Sequence, residues 1–261
     1  MDGPFIQLEN IEVMRDGEKV LHDIDLAIER EKTTVVMGPS GCGKSILLKI
    51  AALIFPPDGG TVYLNGRNMQ RVPDKELIGF RKNNGFVFQD AALWANKTVF
   101  QNVSLPLEFH YPMLSQEEIK TKIERTLHEV GYRDSLYHRP AALSAGERQL
   151  ISFARALIIG PSYLFMDSPT MSLDHENVGI IIQRIKSLKK ENRTMIISTN
   201  NATITSLVAD NIVVMKEGTV LMADTFDTVV RSRDPAVQMI LSDVLSKTST
   251  YDDDILDLLN P

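Results

Sequence analysis

The chain has 261 residues, 43% of them hydrophobic, 24% charged and 7% aromatic, a balance that suits one large globular domain or two small ones and excludes disorder as the main state. The net charge is −6, and Asp252, Asp253, Asp254 and Asp257 carry four of those negatives, leaving −2 for the rest. With no basic stripe or Lys/Arg-rich arm, nucleic-acid binding has no electrostatic support.

The longest stretch free of Asp, Glu, Lys and Arg, Thr194 to Ala209, is broken by Ser198, Thr199, Asn200, Asn201 and Thr203, so no spanning helix is expected. Asp2 and Glu9 stand where a secretory signal would be basic and then apolar, and the single cysteine, Cys42, allows no internal disulfide. A cytoplasmic location is the expectation.

In chain order, Phe5 to Val13 and Val20 to Ile28 alternate apolar and polar residues around the turn signal Asp16-Gly17, which predicts an antiparallel hairpin. Thr33 to Met37 reads as a short buried strand, followed by a glycine-rich turn and a helix over Lys44 to Phe55 that stops before Pro56-Pro57-Asp58-Gly59-Gly60. Thr61 to Leu64 and Gly85 to Phe88 read as further strands. From Ala91 to about Ala142 the pattern is helical, with a helix start at Ser115-Gln116-Glu117-Glu118 and Ile119, Ile123, Leu127 and Val130 on one face. Strands return at Tyr163 to Met166, Met195 to Ser198 and Ile212 to Met215, with helices over Glu147 to Ile159 and Glu176 to Glu191. Alternating strands and helices predict an α/β core with a mostly parallel sheet, an antiparallel β subdomain in front and a helical insertion at about 91–157. One domain over 1–245 and an acidic tail over 246–261 account for the chain, the tail reading as a solvated end or, through Leu256, Leu258 and Leu259, a docking segment.

Gly38-Pro39-Ser40-Gly41-Cys42-Gly43-Lys44-Ser45 fits G-x-x-x-x-G-K-[ST], between a predicted strand and a predicted helix as that pattern requires. This is the phosphate loop of a P-loop NTPase. Glycines let backbone N–H groups converge on phosphates, and the helix N-terminus through Ile46 adds partial positive charge. Lys44 suits the β and γ phosphates of ATP, and Ser45 suits Mg²⁺. Cys42 sits at a variable position, where a small filler is the plain reading. Asp167 closes the apolar run Tyr163-Leu164-Phe165-Met166, the place for a carboxylate in the Mg²⁺ shell.

Leu143-Ser144-Ala145-Gly146-Glu147-Arg148-Gln149 resembles the signature sequence of ABC transporter ATPases, usually Leu-Ser-Gly-Gly-Gln. Gln89 after Gly85-Phe86-Val87-Phe88 looks like that family's Q-loop, and Ser172-Leu173-Asp174 like its D-loop. The resemblance runs over roughly Phe5 to Ser242. It implies an ABC-type nucleotide-binding domain that pairs with a second ATPase subunit, identical or different. Ser144 and Gly146 would then touch the γ-phosphate held by the partner. Gln89 would join the Mg²⁺ shell and relay its state to the helical insertion, which docks on a membrane-spanning permease at the inner face of a bacterial inner membrane. Read alone, Ser144 is a helix cap completed by Glu147.

Phe88 to Leu107 and Arg231 to Gln238 look more narrowly like ATPases of bacterial MCE (mammalian cell entry) lipid-transport systems, which implies an MCE-domain lipid-binding partner, although amino-acid and metal importers share part of the first stretch.

Three positions depart from the family pattern. Ser168 stands where a glutamate normally polarises the attacking water, a loss worth about 10² to 10⁴ in rate. Asn200 replaces the histidine that holds the γ-phosphate. The aromatic that stacks on adenine is absent near Val13 and Met14. Lys44, Asp167, Gln89, Ser168 and Asn200 are therefore the catalytic positions, two of them altered, and impaired hydrolysis is expected at this chain's own site. Asp90 and Asp174 are the candidate substitutes for the missing base. The competing readings are an ABC-family ATPase outside transport and a regulatory pseudo-enzyme with ATP as a structural ligand.

Overall fold

The computed structural model describes residues 4–246, so the acidic tail lies outside the described residues apart from Ser246 at its start. The chain divides into two compact units, residues 4–72 with 196–246 and residues 73–195.

The first unit opens with β1 (Ile6–Arg15) and β2 (Glu18–Ile28), antiparallel with Ile6 opposite Ile28 and Leu8 opposite Leu26. Asp16 and Gly17 both have positive φ, 52° and 84°, which is the two-residue turn whose twist matches a hairpin. Ile6, Leu8, Ile11 and Val13 are buried from β1, and Leu21, Ile24, Leu26 and Ile28 from β2; the expected alternation slips by one residue at Asn10 and at Asp23, both at positive φ, and the register shifts between Leu8 and Ile11. β3 (Thr33–Met37) is buried throughout, as a strand covered on both faces must be. α1 (Lys44–Ala51) follows the glycine-rich turn, then β4 (Gly59–Leu64), antiparallel to β1, and β5 (Arg67–Asn68), which completes the order β2-β1-β4-β5.

The helix predicted to Phe55 ends at Ala51. Leu53 turns left-handed at φ 56° and the Ile54 N–H reaches back to the Lys49 carbonyl at 2.9 Å, closing the helix early. Proline at 56 and 57 biases the residues before it toward extended backbone, so the last turn cannot continue.

The second unit contains α2 (Asp74–Lys82), β6 (Asn84–Val87), α3 (Val99–His110), α4 (Gln116–Glu129), α5 (Ala145–Leu157), β7 (Tyr163–Asp167) and α6 (His175–Lys190). β6 and β7 pair in parallel, Phe86 beside Phe165 and Val87 beside Met166. The helical pattern read from Ala91 begins only at Val99. Before it, the buried Asn102 amide takes the Trp94 N–H at 2.8 Å and donates to the carbonyls of Trp94, Lys97 and Thr98, holding an irregular loop. Capping boxes start α3 at Thr98 with Gln101, and α4 at Ser115 with Glu118. Ile119, Ile123, Leu127 and Val130 form the buried face read from their spacing.

β8 (Thr194–Ser198) carries the chain across the division. The first unit then closes with α7 (Ala202–Val208), β9 (Asn211–Lys216), β10 (Thr219–Thr225), α8 (Phe226–Val230) and α9 (Pro235–Ser246). β3 runs parallel to β9, and β10 returns antiparallel through Glu217-Gly218, both at positive φ. Asp210 pins the start of β3: its carboxylate accepts the Thr33 N–H at 2.8 Å and its own N–H donates to the Thr33 carbonyl at 2.9 Å. Among the described residues no helix is long and apolar enough to cross a membrane.

Two substitutions in α4 separate its cap from its packing. Ile123→Ala should cost about 2–5 kcal/mol and Ser115→Ala about 1 kcal/mol in urea unfolding. Equal losses would show that the buried face does not anchor the helix.

Candidate functional site

In the first unit the site is built around Gly38. Its φ is 154°, and a Cβ there would lie 2.2 Å from the Met215 carbonyl oxygen and 2.8 Å from Cys42 Sγ, so only glycine fits. Gly43, at φ 100°, is the N-cap of α1, and a Cβ there would strike Leu21 Cδ2 at 2.5 Å. No side chain caps α1, so no side chain competes with an anion for the amides at its start, although the Ile46 N–H already donates to the Gly43 carbonyl at 3.1 Å.

Lys44 curls back over the loop. Its Nζ donates to the carbonyls of Gly38 at 2.7 Å and Pro39 at 2.8 Å, and approaches Cys42 Sγ at 3.8 Å. Cys42 is 5% exposed and packs as the small filler its position suggests. Asn200 lies beside Gly38: its Oδ1 accepts the Gly38 N–H at 3.3 Å and its Nδ2 donates to the Gly38 carbonyl at 3.0 Å. The structure thus brings Asn200 onto the phosphate loop. Val13 is fully buried in the core and offers no face to a base, whereas Met14 is 43% exposed. Of the two, Met14 alone offers apolar surface. Nearby, the Arg15 guanidinium lies 4.1 Å from the centre of the Phe55 ring.

In the second unit, Asp167 ends β7 and is 2% exposed. Ser168 follows at φ 47°, a left-handed position that a non-glycine residue holds at some cost. Gln89 is exposed, with its Nε2 3.7 Å from Met171 Sδ. Ser144 caps α5: its hydroxyl accepts the Glu147 N–H at 3.1 Å, and the Glu147 carboxylate takes the Ser144 N–H at 2.8 Å. Gly146 sits close to the D-loop, where an added Cβ would be 3.2 Å from the Ser172 carbonyl.

The substitute bases fare poorly. Asp174 is the N-cap of α6, bonded to the backbone and side chain of Asn177, and those bonds hold its carboxyl below the usual range. A weaker base is the result. Asp90 places its charge near Arg155, which burial pulls down and Asp90 partly restores.

Arg155 was not among the residues read as functional. It donates to the carbonyls of Ala92 and Ala91 at 2.8 Å each, and both alanines are left-handed, at φ 45° and 61°. Gln149, on the same helix, donates to the Phe88 carbonyl at 3.2 Å. α5, which begins at the signature serine, therefore fixes the backbone on both sides of Gln89. The signal in the sequence is an arginine embedded among the apolar residues of α5, a charge that needs a polar partner.

With this geometry in view, comparison with known proteins assigns the class. Residues 21–171 match the ABC transporter family. The uncharacterized ABC transporter ATP-binding protein YknY of Bacillus subtilis (strain 168) is 32% identical over 226 residues, 85% of this chain and 97% of that protein. The L-cystine import ATP-binding protein TcyN of the same organism is 33% identical over 229 residues, 87% of this chain and 88% of that protein. The methionine import ATP-binding protein MetN of Carboxydothermus hydrogenoformans is 31% identical over 249 residues, 93% of this chain and 73% of that protein. In structure, the chain is similar to the ATP-binding cassette MJ0796, a dimer in a post-hydrolysis state bound to ADP and Pi, with a TM-score of 0.78 and 30% identity over 84% of this chain and 98% of that one. This chain belongs to the ABC transporter ATP-binding family and has its α/β nucleotide-binding fold, with an antiparallel sheet and a helical part. The family carries ATP binding and hydrolysis with it. None of the three named relatives is named for lipid transport.

The Arg155 fork yields a stability prediction. Arg155→Lys keeps the charge but cannot reach both carbonyls at once, and should cost about 2 kcal/mol in urea unfolding, a hydrogen bond from a charged group being worth about 1.5–3 kcal/mol. Adding Ala91→Gly should recover part of that loss by relieving the left-handed alanine, whereas full stability in Arg155→Lys alone would show that the fork is not needed.

Proposed function

We propose that this chain is the ATP-binding subunit of a membrane transporter that captures Mg·ATP at residues 38–46, pairs with a second ATPase subunit and hydrolyses ATP slowly at its own phosphate loop. The observation that carries this reading is the state of β7's end. Asp167 is retained and buried, while the next position holds a serine at φ 47°. The first supports a metal-bound nucleotide; the second provides no proton acceptor near neutral pH.

The donor set fits the groups it would hold. An uncapped α1 N-terminus, the Lys44 ammonium and a glycine-built loop suit a polyphosphate. The Ser45 hydroxyl, the Gln89 amide oxygen and the Asp167 carboxylate, which the family resemblance implies for Mg²⁺, are each hard oxygen donors of the kind that ion takes. On nucleotide binding Lys44 leaves its two backbone acceptors for the β and γ phosphates. Ser144 and Gly146 serve the nucleotide of the partner subunit, where α5's first turn offers its dipole. A complete partner would combine its own base with this chain's signature, giving an assembly with one fast site. Gln89, held from both sides by α5, passes the state of the site to the helices from Trp94 to Tyr111 and so to a permease on the inner face of the bacterial membrane.

The stretches Phe88 to Leu107 and Arg231 to Gln238 support a lipid as cargo, with an MCE-domain protein as a further partner. The likeness to TcyN and MetN favours a second reading, import of an amino acid. Mass spectrometry of the purified permease complex separates them, phospholipid retained in it supporting the first and an associated amino-acid-binding protein the second.

For the chemistry, the chain alone should show a raised melting temperature with Mg·ATP and very slow turnover, and Ser168→Glu with Asn200→His should raise turnover at least about tenfold, within the range of a positioned base. Brisk hydrolysis by the unaltered chain, lost in Lys44→Ala, would contradict the impaired site.

A further inference from the structure

The proposal rests on Gly38 and Asn200, and it deepens the reading of this loop as an ATP site. The N–H and the carbonyl of Gly38 both face Asn200. A primary amide presents one acceptor and donors on a single planar head, so it can meet both at once. Asn200 does so, accepting from the Gly38 N–H at 3.3 Å and donating to the Gly38 carbonyl at 3.0 Å. Just before it, the Thr199 N–H donates to the Val36 carbonyl at 3.1 Å. The Asn200 side chain thus extends that backbone pairing past the end of β3 and into the loop. A neutral imidazole carries its N–H and its bare nitrogen on separated ring positions, and cannot make both bonds to one residue.

We propose that Asn200 is a positioning residue that clamps the entrance of the phosphate loop, in place of a sensor of the γ-phosphate. In the structure the Gly38 carbonyl accepts from both Lys44 Nζ, at 2.7 Å, and Asn200 Nδ2. When Lys44 turns to the phosphates, that carbonyl keeps Asn200 as its partner, and the release of Lys44 leaves no stranded acceptor. The clamp therefore favours diphosphate and triphosphate alike, because Lys44 leaves for either one. A γ-phosphate contact would favour the triphosphate alone.

Cys42 gives a readout that does not depend on nucleotide. It is the single cysteine of the chain, 5% exposed, and its Sγ lies against Gly38. Loosening Gly38 uncovers it. The experiment compares the unaltered chain with Asn200→Ala, Asn200→His and, as a control, Asn201→Ala, which removes the cap of α7 (Ile204 N–H to Asn201 Oδ1, 2.9 Å) without touching Gly38. The rate of Cys42 modification by an aromatic disulfide reagent, without nucleotide, should rise several-fold in both Asn200 variants and stay unchanged in Asn201→Ala. ATP and ADP affinities of Asn200→Ala should fall together by about fivefold, the scale of one hydrogen bond, leaving their ratio as it was. An unchanged Cys42 rate, an equal rise in Asn201→Ala, or a loss confined to ATP would each overturn the clamp. Steady-state hydrolysis enters none of these readouts, so fast turnover would sink the impaired-site reading and leave the clamp standing, and the reverse holds as well.

Discussion

One carbonyl, that of Gly38, organises the phosphate loop. The loop must present amides to a polyphosphate, and it does so by passing so close to β9 that a Cβ at Gly38 would meet the Met215 oxygen at 2.2 Å. The crowding removes any side chain and leaves the peptide to be held by hydrogen bonds alone. Lys44 and Asn200 supply them, and both bonds end on the same oxygen. The loop is therefore held in part by the same lysine that the proposed phosphates would take.

Chemistry at the far end of β7 is less complete. Asp167 remains, buried and able to take a place around Mg²⁺, but Ser168 has no useful proton affinity and occupies a left-handed position. Of the acids that might stand in, Asp174 is committed elsewhere: it caps α6, with its carboxyl held low by the bonds from Asn177. In the proposed function, retained binding parts and a lost proton acceptor make a subunit that closes on ATP and consumes it slowly.

The strands were legible because burial on one or both faces writes itself as alternation or as an apolar run: β1, β2, β3, β7 and β8 fall close to where Ile, Val and Met residues place them. α4 was legible from Ser115-Gln116-Glu117-Glu118 and the spacing of Ile119, Ile123 and Leu127. Harder to see were β10, whose residues from Thr219 to Thr225 include none that is buried, and α2, which is short and highly charged. These elements form through their neighbours, and local pattern carries little of that. The end of α1 at Ala51 depended on a left-handed Leu53, which no propensity announces. In the site, the glycines and Lys44 could be read because a phosphate cradle needs those residue types at that spacing. The partners of Arg155 and Asn200 could not, since both reach across 63 residues or more to a backbone oxygen.

The proposed function makes this chain a subunit that holds ATP and hydrolyses it only slowly. Its most direct test is the identity of the nucleotide that stays bound after the purified chain is incubated with Mg·ATP and freed of excess by rapid gel filtration. Intact ATP, recovered at close to the amount of sites, is the expected result. Recovery of ADP, formed within the few turnovers such an incubation allows, would contradict it.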